Sequence, residues 1–163
     1  MDRTCIAIVD ATRARLFTFD RASDASGVHE DLEERTDLVN PQRRRRPSEL
    51  FSDSRPGSSR TGGLGYAFDD HRGHHMEEID AAFARDVATQ IENLVHEAPT
   101  RRLIMCASPN MLGALRATDL GRLGIAVDEL DRDLVRLTPA QLRDYLTSVN
   151  LLPERPARPE MRR

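Results

Sequence analysis

Three histidines beside two aspartates are the residues of this chain whose types and spacing best suit chemistry. They are His71, His74 and His75, and Asp69 and Asp70 precede them. Neutral imidazoles and carboxylates that lie close together can ligate Zn²⁺ or another divalent ion, and an imidazole can act as a general acid or base. The alternative is a polar helix start, at which the His and Asp side chains cap the backbone and meet solvent.

Arginines form a second candidate site. Residues 41–60 hold six arginines against Glu49 and Asp53, a local net charge of +4 in a chain of net charge −3. A guanidinium is a planar fork of donors that suits phosphate oxygens, and flexible arginine-rich segments often become ordered on binding nucleic acid. The alternative is a solvated arginine run without a ligand. The predicted phosphate contacts are Arg43, Arg44, Arg45, Arg46, Arg55, Arg60 and Arg72.

Aromatic residues near these arginines are few. Only Tyr66 and Phe68 are interleaved with them, so there is no platform on which several bases could stack. Contacts to the nucleic-acid backbone are therefore expected, rather than recognition of a base sequence.

Motifs of several large enzyme classes are absent from the sequence. It contains no Gly-x-Ser-x-Gly elbow, no P-loop and no His-Glu-x-x-His. The glycines of 62–65 do not follow a predicted strand, so they do not fit a dinucleotide site. These observations favour a protein that is not an enzyme, and no cofactor is expected.

Composition indicates one domain with an aliphatic core. The chain has 163 residues, 39% of them hydrophobic, but only 4% aromatic and no Trp. Cys5 and Cys106 are far apart, which fits neither a disulfide framework nor a metal site and suits a reducing cytosol. Neither a signal peptide nor an apolar run near the about 18 residues of a membrane span is visible. A cytoplasmic protein without membrane contact is expected.

Hydrophobic periodicity predicts the elements that would position these residues. Strands are expected at 4–9, 13–19 and 28–35 as an antiparallel meander, and then at 102–107 and 125–130. An apolar stripe from Ile79 to Leu94 predicts a helix over His75–His96. Ser108-Pro109 and the capping box Thr138–Gln141 each predict the start of a further helix.

Together these elements predict an α/β fold with a mixed β-sheet flanked by helices. The sheet would be antiparallel in its first half and parallel where helices cross over. Residues 1–150 would form a single domain with a long Arg/Gly/Ser-rich loop at about 36–74, and residues 151–163 a disordered C-terminal tail. A long polar loop inside a compact domain is usually functional or disordered.

Several segments carry a resemblance to a known family. In order they are Asp10–Phe17, Glu49–Gly57 with its Ser-Asp-Ser-Arg-Pro-Gly turn, Phe83–Ala88, Leu103–Arg116 and Asp131–Leu146. They resemble segments of the bacterial host attachment protein family, described as proteins required for attachment to host cells. The resemblance covers roughly residues 3–147.

The resemblance implies a fold and a partner. The family is thought to be related to the central domain of the archaeal and eukaryotic peptide release factor and of Pelota, which implies a ribonuclease-H-like α/β domain of the translation machinery. In release factors the corresponding loop carries Gly-Gly-Gln, whereas here Gly62 and Gly63 are followed by Leu64. A hydrocarbon replaces the amide that could position water, so peptidyl-tRNA hydrolysis is not expected. Pelota-like proteins lack the motif and still bind ribosomes.

Three functional hypotheses follow. The leading one is a non-enzymatic cytoplasmic protein that contacts RNA or the ribosome through its Arg/Gly-rich loop. The second is a hydrolase or nuclease, metal-assisted or His-dependent, that uses the cluster Asp69–His75. The third is a factor that takes part directly in host interaction. The sequence leaves the RNA or protein partner and the oligomeric state open.

Overall fold

The computed structural model describes residues 1–44 and 65–157, without the side chains of Arg44 and of residues 65–70. Its strands are β1 (Asp2–Val9), β2 (Arg13–Asp24), β3 (Gly27–Val39), β4 (Arg102–Ala107) and β5 (Ala126–Asp131). Its helices are α1 (Pro41–Arg44), α2 (Gly65–Glu97), α3 (Pro109–Arg116) and α4 (Pro139–Ser148), with a short 3₁₀ turn at Leu120–Leu123.

The five strands form one mixed sheet in the order β3-β2-β1-β4-β5. β1, β2 and β3 pair as an antiparallel meander, and β1, β4 and β5 run parallel. The prediction of a mixed sheet with helices, antiparallel first and parallel later, is therefore confirmed. Because β3 runs in the same direction as β1, the last residues of β1, β3, β4 and β5 meet at one edge of the sheet, which we call the carboxyl edge.

Each face of the sheet carries its own hydrophobic core. Successive residues of a strand point to opposite faces. Ala7 of β1 therefore packs with α2 and α3, whereas its neighbour Ile8 packs with α4. Ile91 of α2 and Leu146 of α4 are fully buried in the two cores. The fold is thus three layers, with α2 and α3 on one face and α4 on the other.

Two strands and one helix are longer than predicted. β2 continues beyond the predicted end at residue 19 to Asp24, and β3 reaches Val39. None of the residues at this end of the hairpin is fully buried, so it needs no apolar pattern. The long helix begins at Gly65 instead of His75. Of the loop predicted at about 36–74, residues 36–39 thus belong to β3 and 65–74 to α2, while 45–64 lie outside the described residues.

The C-terminal segment packs on the domain for longer than predicted. Leu152 is buried in the core of the α4 face, and the backbone N–H groups of Leu151 and Leu152 both donate to the carbonyl of Leu146. Arg155 forms an ion pair of 2.9 Å with Asp144. Residues 151–155 therefore belong to the fold rather than to a disordered tail, and 158–163 lie outside the described residues.

The predicted starts of α3 and α4 are confirmed in position. Thr138 Oγ1 accepts from the Gln141 backbone N–H at 3.2 Å, and Gln141 Oε1 accepts from the Thr138 backbone N–H at 3.0 Å. Pro109 opens α3, although the Ser108 hydroxyl makes no capping bond. Within the described ranges, no helix is long and apolar enough to cross a lipid bilayer.

Candidate functional site

The arginine-rich segment, residues 41–60, follows a buried residue on the carboxyl edge, Asn40. Asn40, directly after β3, is 3% exposed, and its side-chain amide donates to the Ala11 carbonyl at 3.0 Å. Its backbone N–H donates to the Thr12 carbonyl at 2.8 Å, and its side-chain oxygen accepts from the Gln42 backbone N–H at 3.2 Å. Asn40 thereby fixes the start of α1 to the turn between β1 and β2.

Arg43 connects the two helices that flank the segment. Its Nε and Nη2 donate to the two carboxylate oxygens of Asp80 in α2, at 3.0 and 2.9 Å. Both side chains are largely buried, 24% and 15% exposed. A bidentate pair of this kind fixes geometry as well as adding energy. Arg43, predicted as a phosphate contact, thus ties α1, which leads into 45–64, to a point in α2 that lies 15 residues beyond Gly65.

The other predicted phosphate contacts are distributed as follows. Arg44 lies in α1, and Arg72 lies exposed in α2. The remaining residues lie outside the described part of the chain: Arg45, Arg46, Arg55, Arg60 and the loop tip Gly62, Gly63 and Leu64. Of the predicted phosphate contacts, the structure therefore gives the backbone positions of Arg43, Arg44 and Arg72 alone.

The predicted histidine cluster lies on exposed positions of α2. His71, His74 and His75 all face solvent, and the His74 ring nitrogens lie 3.9 Å from Glu77 and 3.6 Å from Glu78. Among the side chains that the structure describes, no group of three or more His, Cys, Asp or Glu could hold a metal ion. Asp69 and Asp70 lie in α2, with their side chains outside the described set.

Serine, histidine and aspartate also meet at the hairpin between β2 and β3, which the sequence did not indicate. His29 Nε2 lies 2.7 Å from Ser26 Oγ and 3.3 Å from Asp24 Oδ1, and Ser26 Oγ donates to the same carboxylate oxygen. In a catalytic triad the nucleophile and the acid bond opposite ring nitrogens. Here one nitrogen faces both, and the bonds from the Ser26 hydroxyl and backbone lower the pKa of Asp24. This trio stabilises a turn.

A buried arginine, Arg15 of β2, organises the α4 face. It is 7% exposed, and its Nε and Nη2 donate to the Glu34 carboxylate of β3, both at 2.8 Å. Its Nη1 donates to the carbonyls of Val135 and Leu137 at 2.9 and 2.6 Å. The guanidinium lies 5.1 Å from the Phe17 ring centroid, within cation–π range. The bonds from Arg15 hold the pKa of Glu34 below its ordinary value.

Arg143 of α4 is the second buried arginine of this face. It is 4% exposed, and its Nη2 donates to Glu30 Oε2 at 2.8 Å and to the Pro153 carbonyl at 2.7 Å. Its Nη1 donates to the Thr147 hydroxyl, and the Phe19 ring lies 5.1 Å away. Arg143 thereby joins α4, the edge strand β3 and the C-terminal segment.

Two grooves and two buried thiols are further features of the described residues. One groove of about 220 Å³ lies between β3 and α4 beside Glu30 and Arg143, and one of about 380 Å³ lies between α2 and α3. Burial raises the pKa of both Cys5 and Cys106 to about 12, so neither supplies a thiolate near neutral pH.

Comparison with known proteins identifies the family. A family model described as "Protein required for attachment to host cells" matches residues 5–146, which extend from β1 into α4. The match includes Asn40, Arg43 and the buried arginines of the α4 face. A search of the curated proteins finds no match. The match covers most of the chain, and the chain therefore belongs to the family of proteins required for attachment to host cells.

Proposed function

We propose that this protein is a non-enzymatic cytoplasmic binding protein that contacts RNA phosphates, on the ribosome or on free RNA, through its arginine-rich segment. The observation that carries the proposal is the set of side-chain hydrogen bonds by which Asn40 and Arg43 fix α1 to the rest of the domain. A domain that fixes the start of a segment whose residues 44–60 carry a net charge of +3, five arginines against Glu49 and Asp53, has built a frame for it. The attachment role in the family's description would then follow indirectly from this binding.

The architecture is consistent with the relationship that we propose to the central domain of release factors and Pelota. A meander followed by parallel strands with crossover helices is an α/β arrangement of the kind that a ribonuclease-H-like domain uses. Leu64 occupies the position of the catalytic Gln, so the proposed contact is one of binding alone. No specific observation on the described residues favours the hydrolase hypothesis.

The physical basis of the contact is the release of counterions. Each guanidinium that neutralises a phosphate releases a condensed cation, so affinity falls steeply as salt rises. Loss of three such contacts lowers the magnitude of the slope of log affinity against log salt by about 2 on single-stranded RNA. A whole-protein charge of −3 would not give this attraction unless the basic residues act locally.

Co-sedimentation with purified ribosomes tests the proposal. The variant Arg44→Ala/Arg45→Ala/Arg46→Ala removes three charges and leaves the pair Arg43–Asp80 in place. The matched control removes three exposed arginines elsewhere: Arg85→Ala/Arg101→Ala/Arg122→Ala. We expect the native protein and the control to sediment with ribosomes at low salt, and the first variant to remain in the supernatant. If the native protein does not sediment at low salt, or both variants lose binding equally, the proposal is wrong.

A further inference from the structure

Strand β3 forms one edge of the sheet, and this edge is long. It has 13 residues, and within the described residues it pairs with β2 alone. In an antiparallel pair, every second residue points its backbone N–H and C=O away from the partner strand. In the described part of the chain, β3 therefore presents a row of backbone donors and acceptors to which an extended chain can add by strand pairing.

The two faces of β3 differ in character. Its pairing with β2 is regular from Gly27 to Glu34, so its side chains alternate between the faces of the sheet there. Leu32 packs at the core of the α4 face, and its neighbours Asp31 and Glu33 therefore lie on the other face. A strand added at this edge continues the alternation, and its side chains would lie in turn on each face.

On the face away from α4, the edge carries carboxylates that lack a close cation. Asp31 lies across the ladder from Asp20, whose carboxylate already accepts from Arg3 at 2.7 and 2.8 Å. The exposed Asp31 side chain has no ion pair or hydrogen bond within the described residues. Glu33 lies 3.9 Å from Arg35, which makes a shorter pair with α2. Like charges directly opposite destabilise a ladder, so a cation beside Asp31 would be favourable.

On the α4 face, the groove of about 220 Å³ between β3 and α4 lies beside the same edge. Its apolar walls come from the sheet and from the start of α4: Phe19, Leu32, Pro139 and Ala140. Its two arginines, Arg143 and Arg155, are each paired with a carboxylate. The groove therefore suits an apolar side chain better than a charged one.

Charge distinguishes β3 from the other edge strand and also selects the partner. β5 has only six residues, and two of its carboxylates, Asp128 and Glu129, are paired with arginines. Antiparallel pairing of β3 with β3 of a second copy would bring the carboxylates of Asp31 and Glu33 beside those of the other copy, which is repulsive. The charges on β3 therefore favour a basic partner.

We propose that the free edge of β3 binds an extended peptide segment of a partner protein, in which basic and apolar side chains alternate. The segment adds to the sheet as a further strand. Its basic side chains lie beside Asp31 and Glu33, and an apolar side chain enters the groove. Backbone hydrogen bonds supply affinity, and the alternate side chains supply specificity. The inference goes beyond the proposed function and does not rest on it, because β3 is not part of the arginine-rich segment.

Fluorescence anisotropy with the labelled peptide Lys-Val-Lys-Val-Lys-Val-Lys tests this inference, on variants whose circular dichroism matches that of the native protein. Asp31→Lys/Glu33→Lys is expected to weaken binding about tenfold, because two attractions become repulsions. Ala140→Trp, which fills the groove, should weaken it about fivefold. The control Glu77→Lys/Asp86→Lys reverses two exposed carboxylates of α2 and should leave binding unchanged.

A second peptide separates strand pairing from simple charge attraction. The same peptide N-methylated at every residue keeps its charge but donates no backbone hydrogen bonds, and we expect it not to bind. Equal binding of the two peptides, or an equal loss in the control variant, would overturn the inference. No binding by the native protein would do so as well. Sedimentation equilibrium checks the competing occupant: a native dimer that the peptide dissociates would assign the edge to a second copy and overturn the proposal.

Discussion

Each helical layer of this protein is joined to an edge strand by an arginine and a glutamate, and the two pairs differ sharply in burial. On one face Arg143 of α4 meets Glu30 of β3, with side chains 5% and 12% exposed. On the other face Arg116 of α3 meets Glu129 of β5, with side chains 59% and 28% exposed. The same chemistry is thus part of the core in one place and of the solvated surface in the other.

The chain has 24 arginines and no lysine. The difference between the two pairs shows that its arginines serve two purposes. A buried guanidinium must satisfy its donors, and Arg143 does so with a carboxylate, a hydroxyl and a carbonyl. Arg15 does the same with Glu34 and two carbonyls. Arginines of this kind hold layers together, and they are unavailable to a ligand. Exposed arginines such as Arg136 keep their guanidinium groups in solvent.

The largest effect is expected from breaking the buried pair. Arg143→Met leaves the buried Glu30 carboxylate without its hydrogen-bonded cation and with only Arg21, whose Nε lies 3.8 Å from Glu30 Oε1, and this should lower the free energy of unfolding by about 2–3 kcal/mol. Urea denaturation followed by circular dichroism measures the change. The double variant Arg143→Met/Glu30→Met should recover more than half of the loss, because no buried charge is left unpaired. If the single variant is as stable as the native protein, the two pairs do not differ as proposed.

Sequence patterns predicted the apolar elements well, and the polar ones less well. β4 has a clear apolar run and the bounds that this run predicts, and α4 begins where its capping box predicts. The first turns of α2 were missed because Gly65, Gly73 and the polar residues between them are typical of a loop. The solvated ends of β2 and β3 were missed for a similar reason, since β3 has almost no buried positions.

The buried arginines show the limit of reading a site from composition. Arg is almost never fully buried unless it is paired. The only indication in the sequence that a given arginine is buried is therefore its position in the alternation of a strand. Arg15 shares one face of β2 with Phe17 and Phe19, both of which are buried in the core of the α4 face. Its partners, Glu34 and the loop carbonyls, are set by the tertiary fold and leave no local sequence mark. The frame at Asn40 and Arg43 likewise depends on contacts far apart in sequence.

An intermediate effect is expected from acid, again on the α4 face. Arg15 lowers the pKa of Glu34 in the folded state, so this group stabilises the fold fully above its unfolded pKa, ordinarily 4.5. The contribution is lost as pH falls from there through the lower folded pKa. Urea midpoints measured from pH 7 down to pH 2 should fall in this window, and Glu34→Gln should flatten that fall. An unchanged pH profile in Glu34→Gln would show that Arg15 does not stabilise the charged form.

The smallest effect is expected at the exposed pair. Arg116→Met removes the bonds to Glu129. The Glu129 carboxylate is 28% exposed, so water can solvate it instead, and the urea midpoint should not shift measurably. The same circular dichroism titration provides the measurement, under the conditions used for Arg143→Met. A loss comparable with that of Arg143→Met would remove the distinction between the two faces.

The most direct test of the central claim, that the arginine-rich segment binds RNA phosphates, is the salt dependence of RNA affinity. Dissociation constants for a 20-nucleotide oligouridylate would be measured over a range of salt for the native protein and for Arg44→Ala/Arg45→Ala/Arg46→Ala. We predict binding that weakens steeply with salt for the native protein, and a slope smaller in magnitude by about 2 for the variant. Identical slopes, or no binding of the native protein at low salt, would contradict the claim.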